Sequence, residues 1–384
     1  MRRPYSAHPG FTRANVPDAT AIYLDHAAST PTRPEVCEAM LPWLGGYPGN
    51  PTSLHRPGRD ARRAVDRARE QVAALIHAEP REIIFTSGGT EANNLALRGM
   101  LKTSGHLLTT AIEHHSVLHT AEALQKQNSI RLTLAPANAD GRVEFPADAI
   151  PDNTALVSVM HANNETGVIQ PIEPIAAACR DRGIPFHTDA IQSAAHLPID
   201  VTQTPLDLIS LSGHKLGAPK GIGALYCRHG IDLTPQQTGG PQERGHRPGT
   251  ENLPGIAGFG VACELAQKEM ETESARLAQL RDQLEQALLE KFPNAWRNGA
   301  AENRLPHIAN LGFPHAEGEA VMMTLDAVGI AVSTGSACTS GALDPSHVLL
   351  AMGQTHEQAH AAVRFSFGKG NKAEDVERVV TALE

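Results

Sequence analysis

An α/β fold built on a mainly parallel sheet is what this chain's first two-thirds predict, on three observations. Seven short runs rich in β-branched and aromatic residues read as strands. Helical patterns lie between several of them, and a strand followed by a helix and another strand folds most simply as a parallel pair. The chain has 384 residues, more than one hydrophobic core usually supports, so a second domain is expected.

The strand readings, in order, are EIIFTS (82–87), HLLTT (106–110), IRLTLAP (130–136), ALVSVM (155–160), IPFHTD (184–189), LDLISLS (206–212) and IGALYC (222–227). A helix over 60–76 sets Ala64, Val65, Ala68, Val72 and Leu75 on one face, and a second over 171–183 is closed by Gly183. A long helical pattern runs from about 254 to 292, where Leu277, Leu280, Leu284 and Leu288 recur every three or four residues. That stripe is too short for a coiled coil and reads as a bridge into a C-terminal domain. The C-terminal domain contains HIANLGF (307–313), a loop around Cys338 and the alternating strand AAVRFSFG (361–368).

With 41% hydrophobic and 20% charged residues the chain is globular, and its net charge of -9 gives no footprint for nucleic acid or an anionic membrane. The first twenty residues include Arg2, Arg3 and Arg13 but no apolar signal region, and no run is long enough to span a bilayer. Five widely spaced cysteines (Cys37, Cys179, Cys227, Cys263, Cys338) form no C-x-x-C pair, so neither a disulfide framework nor a thiolate zinc site is signalled. A cytoplasmic protein with reduced thiols is the expectation. The first four cysteines lie on helical or strand patterns and read as buried hydrophobes. In EHHSVLH, His115 and His119 are spaced i, i+4, but H-E-x-x-H is absent and no third ligand follows, so no metal is expected.

Four segments carry chemistry. STGSACTSG surrounds Cys338 with small polar residues, which makes it a loop thiol: either a gap filler or a reactive group. In SLSGHKLGAPKGIG, Lys215 follows a strand among Ser212, His214 and glycines. FHTDAIQS ends a strand with Asp189, which either caps the next helix or serves a ligand at the sheet edge. A lysine for a Schiff base and an acid for a ring nitrogen are the two protein groups that pyridoxal phosphate requires. FTSGGTEANNLAL (85–97) is a strand, a small-residue turn and a helix start whose N–H groups, with the hydroxyls of Thr90 and Ser212 and the His214 ring, suit a phosphate. It is neither a Walker loop nor a G-x-G-x-x-G fingerprint.

Together with IYLDHAAST, GNPTSLH, HANNETG and ERGHRPGT, these motifs resemble the cysteine desulfurases, in the class V aminotransferase group of fold-type I pyridoxal phosphate enzymes. The resemblance runs from about residue 22 to residue 368. It implies a large cofactor-binding domain over 28–265 with a mainly parallel seven-stranded sheet, and a smaller α+β domain from 1–27 and 266–384 that carries a mobile loop at about 332–344. Lys215 would hold the cofactor, Asp189 its pyridine nitrogen and Gln192 its ring hydroxyl. His114 would stack on the ring and assist proton transfer. Gly89, Thr90, Ser212 and His214 would hold the phosphate, joined by Thr250 of a partner subunit in a homodimer. Asn164 and Arg364 would bind the carboxylate of L-cysteine, Arg364 by a two-pronged contact; a rim salt bridge is the alternative for Arg364. Cys338 would take the substrate sulfur as a persulfide and release alanine, then pass the sulfur to an acceptor protein, such as an iron-sulfur scaffold or a tRNA-thiolating enzyme.

Other class V enzymes, a selenocysteine lyase among them, and a catalytically silent scaffold are the competing readings. Pro241 stands where relatives commonly have glycine, which would stiffen the loop that reaches the neighbouring site. The chain also ends on VERVVTALE (376–384), without the longer tail that housekeeping members use to dock a scaffold.

Overall fold

A computed structural model describes residues 22–101, 105–127, 130–144, 150–334 and 344–384. Cys338 and most of the 332–344 loop lie outside these residues.

The expected sheet is present. Its strands are β2 (Ile83–Thr86), β3 (His106–Thr110), β4 (Arg131–Ala135), β5 (Thr154–Ser158), β6 (Phe186–Asp189), β7 (Leu208–Ser212) and β8 (Gly223–Cys227), in the spatial order β2-β8-β7-β6-β5-β3-β4. β8 runs antiparallel to both neighbours, and every other pair is parallel. All residues of β3, β6, β7 and β8 are buried, as a sheet covered on both faces requires.

Among the covering helices, α2 (Arg56–Leu75) starts earlier than its apolar pattern, because the His55 ring accepts the Gly58 N–H and Pro57 occupies the first turn. α3 (Gly89–Met100), α4 (His115–Lys126) and α5 (Ile172–Asp181) follow β2, β3 and β5. α1 (Pro34–Leu44) buries only Val36. Cys37 is therefore exposed, which corrects the reading of it as a core residue. The helical period turns it away from Val36 toward solvent. Cys179, Cys227 and Cys263 are buried as expected.

The 39-residue helix α6 (Leu253–Lys291) is the bridge its leucine pattern predicts. Its first half puts Leu253, Ile256, Phe259, Ala262 and Cys263 into the core beneath the large sheet. Its second half puts Leu277, Leu280, Leu284 and Leu288 into a second core with Phe365, Phe367 and Val379. This core includes β10 (Ile308–Gly312) between β9 (Trp296–Arg297) and β12 (Ala362–Ser366), all antiparallel. The chain start joins it too: β1 (Ile22–Tyr23) pairs in parallel with β11 (Ile330–Ala331), and Ile22 and Leu24 are buried there. α7 (Gly318–Ala327), α8 (His347–Ala351), α9 (His356–His360) and α10 (Ala373–Ala382) complete the described elements.

No helix among the described residues is long and apolar enough to cross a membrane, and no three of their His, Cys, Asp or Glu side chains are grouped to hold a metal. His115 instead stacks on His119 at 4.5 Å and lies against His347.

Candidate active site

The segments after β2, β3, β5, β6 and β7 all emerge at one edge of the sheet, where parallel strands end and ligands collect. They enclose a cavity of about 280 Å³. Ten of the twelve residues singled out in the sequence line it: Gly89, Thr90, His114, Asn164, Asp189, Gln192, Ser212, His214, Lys215 and Arg364. Cys338 lies outside the described residues. Thr250 lines a different cavity, with Glu243 and Arg247, and does not reach the site of its own chain.

Lys215 closes a single 3₁₀ turn, Gly213–Lys215, directly after β7. Its Nζ donates to the carbonyl oxygens of Ala27 and, at 2.7 Å, Ala28. The turn folds so tightly because Gly217 (φ +80°) lets the chain reverse beside Arg33.

Asp189 is the last residue of β6, lines the cavity, and caps a turn rather than the helix expected after it. Oδ1 accepts the Ile191 N–H at 3.0 Å, which fixes the turn, and Oδ2 accepts from Asn93 Nδ2 at 2.7 Å. His114 likewise does two things. It caps α4, with Nδ1 accepting the Ser116 N–H at 3.1 Å, while its ring lines the cavity. Burial pushes its pKa below the ordinary histidine value; the Asp189 charge opposes this, and the Lys215 cation adds to it. Burial, then the Lys215 cation, lowers His214 to about 4. Both rings are neutral at neutral pH.

At the other wall α3 begins with no side-chain cap, so its first N–H groups face the cavity beside Thr90, Ser212 and His214. A side chain at Gly89 would collide with Ile191, its Cβ falling 2.1 Å from Ile191 Cδ1. Gln192 is buried, with Nε2 3.2 Å from His307 Nε2 and Oε1 without a partner among the described residues. Arg364 comes from β12 of the C-terminal domain. It donates to Asn164 O at 3.1 Å and to Asp25 Oδ1 at 2.8 Å. Its salt bridge is thus real but buried in the cavity wall, with 5% of the side chain exposed. A nucleophilic amine, an acid for a ring nitrogen, an open helix N-terminus with hydroxyls and a guanidinium fit a phosphorylated aldehyde with a basic ring, together with an amino acid.

A larger cleft of about 880 Å³ shares Gln192 and Lys215, but the convergent polar groups are in the smaller cavity.

Comparison with known proteins agrees with this geometry. The aminotransferase class-V family model matches residues 22–379. The chain belongs to that family. Within the family, it is 47% identical over 369 residues to a cysteine desulfurase of Gluconacetobacter diazotrophicus, covering 94% of this chain and 92% of the relative. Among solved structures, a NifS-like protein superposes with a TM-score of 0.88 at 33% identity, covering 94% of this chain and 97% of that one. The protein described as SspA in complex with cysteine gives 0.78 at 38% identity, covering 90% and 98%.

The sequence reading missed Asn93, Ser116, Asp25 and His307. Asn93 had a usable signal: it sits within the apolar stripe of α3, among Ala92, Leu95 and Ala96, and is fully buried. A polar side chain in such a stripe needs partners. Asp25 had none, since its partner Arg364 is 339 residues away.

Proposed function

We propose that this chain is a pyridoxal phosphate-dependent L-cysteine desulfurase that works as a homodimer. The observation that carries the reading is the convergence of Lys215, Asp189, His114 and Arg364 on one cavity. When bound, the cofactor supplies an electron sink for the electrons of the substrate Cα–H bond. Asp189 keeps a ring nitrogen protonated, and the α3 N-terminus with Thr90, Ser212 and His214 holds the phosphate. Gln192 presents its amide to the ring hydroxyl. Arg364 takes the substrate carboxylate, exchanging part of its contact with Asp25 and keeping the Asn164 carbonyl as an anchor. Lys215 moves the Cα proton. The Cys338 thiolate attacks the substrate sulfur: an S–S bond forms, the Cβ–S bond breaks with its electron pair left on the Cβ side, and protonation of Cβ and Cα yields L-alanine while the persulfide stays on Cys338. An acceptor protein then removes that sulfur.

A second copy of the chain is supported by an apolar strip at α1 and the segment after it, where Leu41 and Leu44 are 62% exposed and Leu54 is 89% exposed. Thr250 is assigned to the partner's phosphate site, since it stands away from its own. The division into a large domain at 28–265 and a small one from 1–27 and 266–384 fits a second core that contains Ile22 and Leu24 and begins on α6 at Leu277.

The test is alanine release from L-cysteine with a thiol reductant, read beside the visible absorption of the cofactor-loaded protein. Wild type is expected to be coloured and to make alanine. Lys215→Ala should lose the lysine-bound band, and Cys338→Ser should keep the colour and lose turnover. Wild-type turnover by Cys338→Ser would move the reading to another class V reaction.

A further inference from the structure

Behind the cavity wall a chain of hydrogen bonds joins Asp189 to His114 through two residues that have no assigned role. Asn93 Nδ2 donates to Asp189 Oδ2 at 2.7 Å and to Ser116 Oγ at 2.8 Å, and Ser116 Oγ lies 2.7 Å from His114 Nδ1. The direction of every bond follows from one of them. The Ser116 backbone N–H can only donate, and it points at His114 Nδ1. Nδ1 is therefore an acceptor, and the proton of the neutral ring sits on Nε2. The Ser116 hydroxyl must then donate to Nδ1 and accept from Asn93. Asn93, in turn, spends its two amide hydrogens on Ser116 and Asp189. Its Oδ1 is left as a buried atom with no partner among the described residues, which fits an amide held in place by its donors alone.

We propose that Asn93, acting through Ser116, is a positioning residue that holds His114 as an Nε2–H donor toward the cavity and draws charge from the Asp189 carboxylate. This rests on the proposed function. Asn93 and Ser116 are 0% and 9% exposed, so water does not replace the relay. A ring fixed in this tautomer offers no lone pair at Nε2. His114 enters the reaction as a hydrogen-bond donor, and removal of the Cα proton falls to Lys215.

The test uses the cofactor-loaded enzyme and its Asn93→Ala, Ser116→Ala and His114→Ala variants, alone and in pairs. Without the Asn93 N–H, Asp189 keeps more negative charge and favours protonated forms of the ring. The pH midpoint of the visible band in Asn93→Ala should therefore rise by roughly half a unit or more. In Asn93→Ala and Ser116→Ala, kcat for alanine should fall about tenfold while the cysteine KM stays within about twofold. Added to His114→Ala, Ser116→Ala should lower kcat by no more than about twofold, because Ser116 acts through that ring. An unmoved midpoint in Asn93→Ala, or a Ser116→Ala loss that multiplies with that of His114→Ala, would overturn the proposal. If Asn93→Ala does not fold, Asn93→Leu, which keeps the shape and removes the donors, should raise the midpoint in the same direction. If the wild type binds the cofactor but makes no alanine, the desulfurase reading falls, and the midpoint alone decides the relay.

Discussion

Glu243 offers the sharpest test of how the large domain is held together. Its carboxylate is buried and accepts from Arg69 Nη1 at 2.7 Å, Arg69 Nη2 at 2.6 Å and the Phe85 N–H at 2.9 Å. Arg69 also donates to Ile83 O at 2.7 Å, and its guanidinium lies 4.7 Å above the Phe85 ring. Glu243 and Arg244 both have left-handed backbone, with φ of 47° and 56°, in the turn that leads toward Thr250. Glu243→Ala leaves that backbone strain unchanged, because alanine is no better suited to positive φ than glutamate. What it removes is the partner of a guanidinium with 8% of its side chain exposed, and the acceptor of a buried strand N–H. Breaking a buried ion pair costs about 3–5 kcal/mol, and an orphaned buried N–H costs about 1–3 kcal/mol more. A loss of about 4 kcal/mol or more is expected, measured by urea denaturation of the cofactor-loaded protein followed by circular dichroism. Replacing both ions, Arg69→Met with Glu243→Leu, leaves no charge buried and should recover the ion-pair loss, standing about 1–3 kcal/mol below wild type for the Phe85 N–H that still lacks an acceptor. A cost below about 1 kcal/mol for Glu243→Ala, or a double variant as unstable as the two single losses added, would refute this account.

Leu284→Ala, in the second half of α6 and fully buried, should cost about 2–5 kcal/mol by urea denaturation while leaving the cofactor band intact, because its cavity opens in the C-terminal core. Gly89→Ala should weaken cofactor binding about tenfold in an absorbance titration, since the new methyl drives Ile191 toward the cavity; unchanged affinity would mean that the α3 N-terminus does not seat the phosphate. Burial raises the Glu113 carboxyl to about 8, so between the ordinary glutamate range and pH 8 the folded chain holds a proton that the unfolded chain has released. Stability should therefore fall as pH rises through that window, by up to about 1.4 kcal/mol per pH unit from this group. Glu113→Gln should flatten the slope of urea midpoints between about pH 5 and pH 8, and identical slopes would sink the assignment.

Much of this protein was legible from local pattern alone. Each strand needs only a short apolar run and the turn residues around it, and each helix needs its own period, so seven strands and the α6 bridge could be read without a third dimension. Lys215, Asp189 and the FTSGGTE turn were visible because each sits at or just past the end of a strand, where a parallel sheet presents its ligands. Cys37 was misread, since a helical pattern does not say which neighbours arrive to cover it, and none of the described residues covers that side of α1.

The sequence by itself determined the elements, the family likeness and a set of candidate side chains, because those properties reside in single segments. Tertiary structure decided which of them meet. Asn93 finds Asp189 across 96 residues and Asp25 finds Arg364 across 339. Such pairings depend on how the sheet is ordered and how the C-terminal domain closes over it. The tautomer of His114 was decided there as well: a ring at the start of α4 must accept the helix's own N–H, and only the folded chain brings Ser116 and Asn93 up behind it.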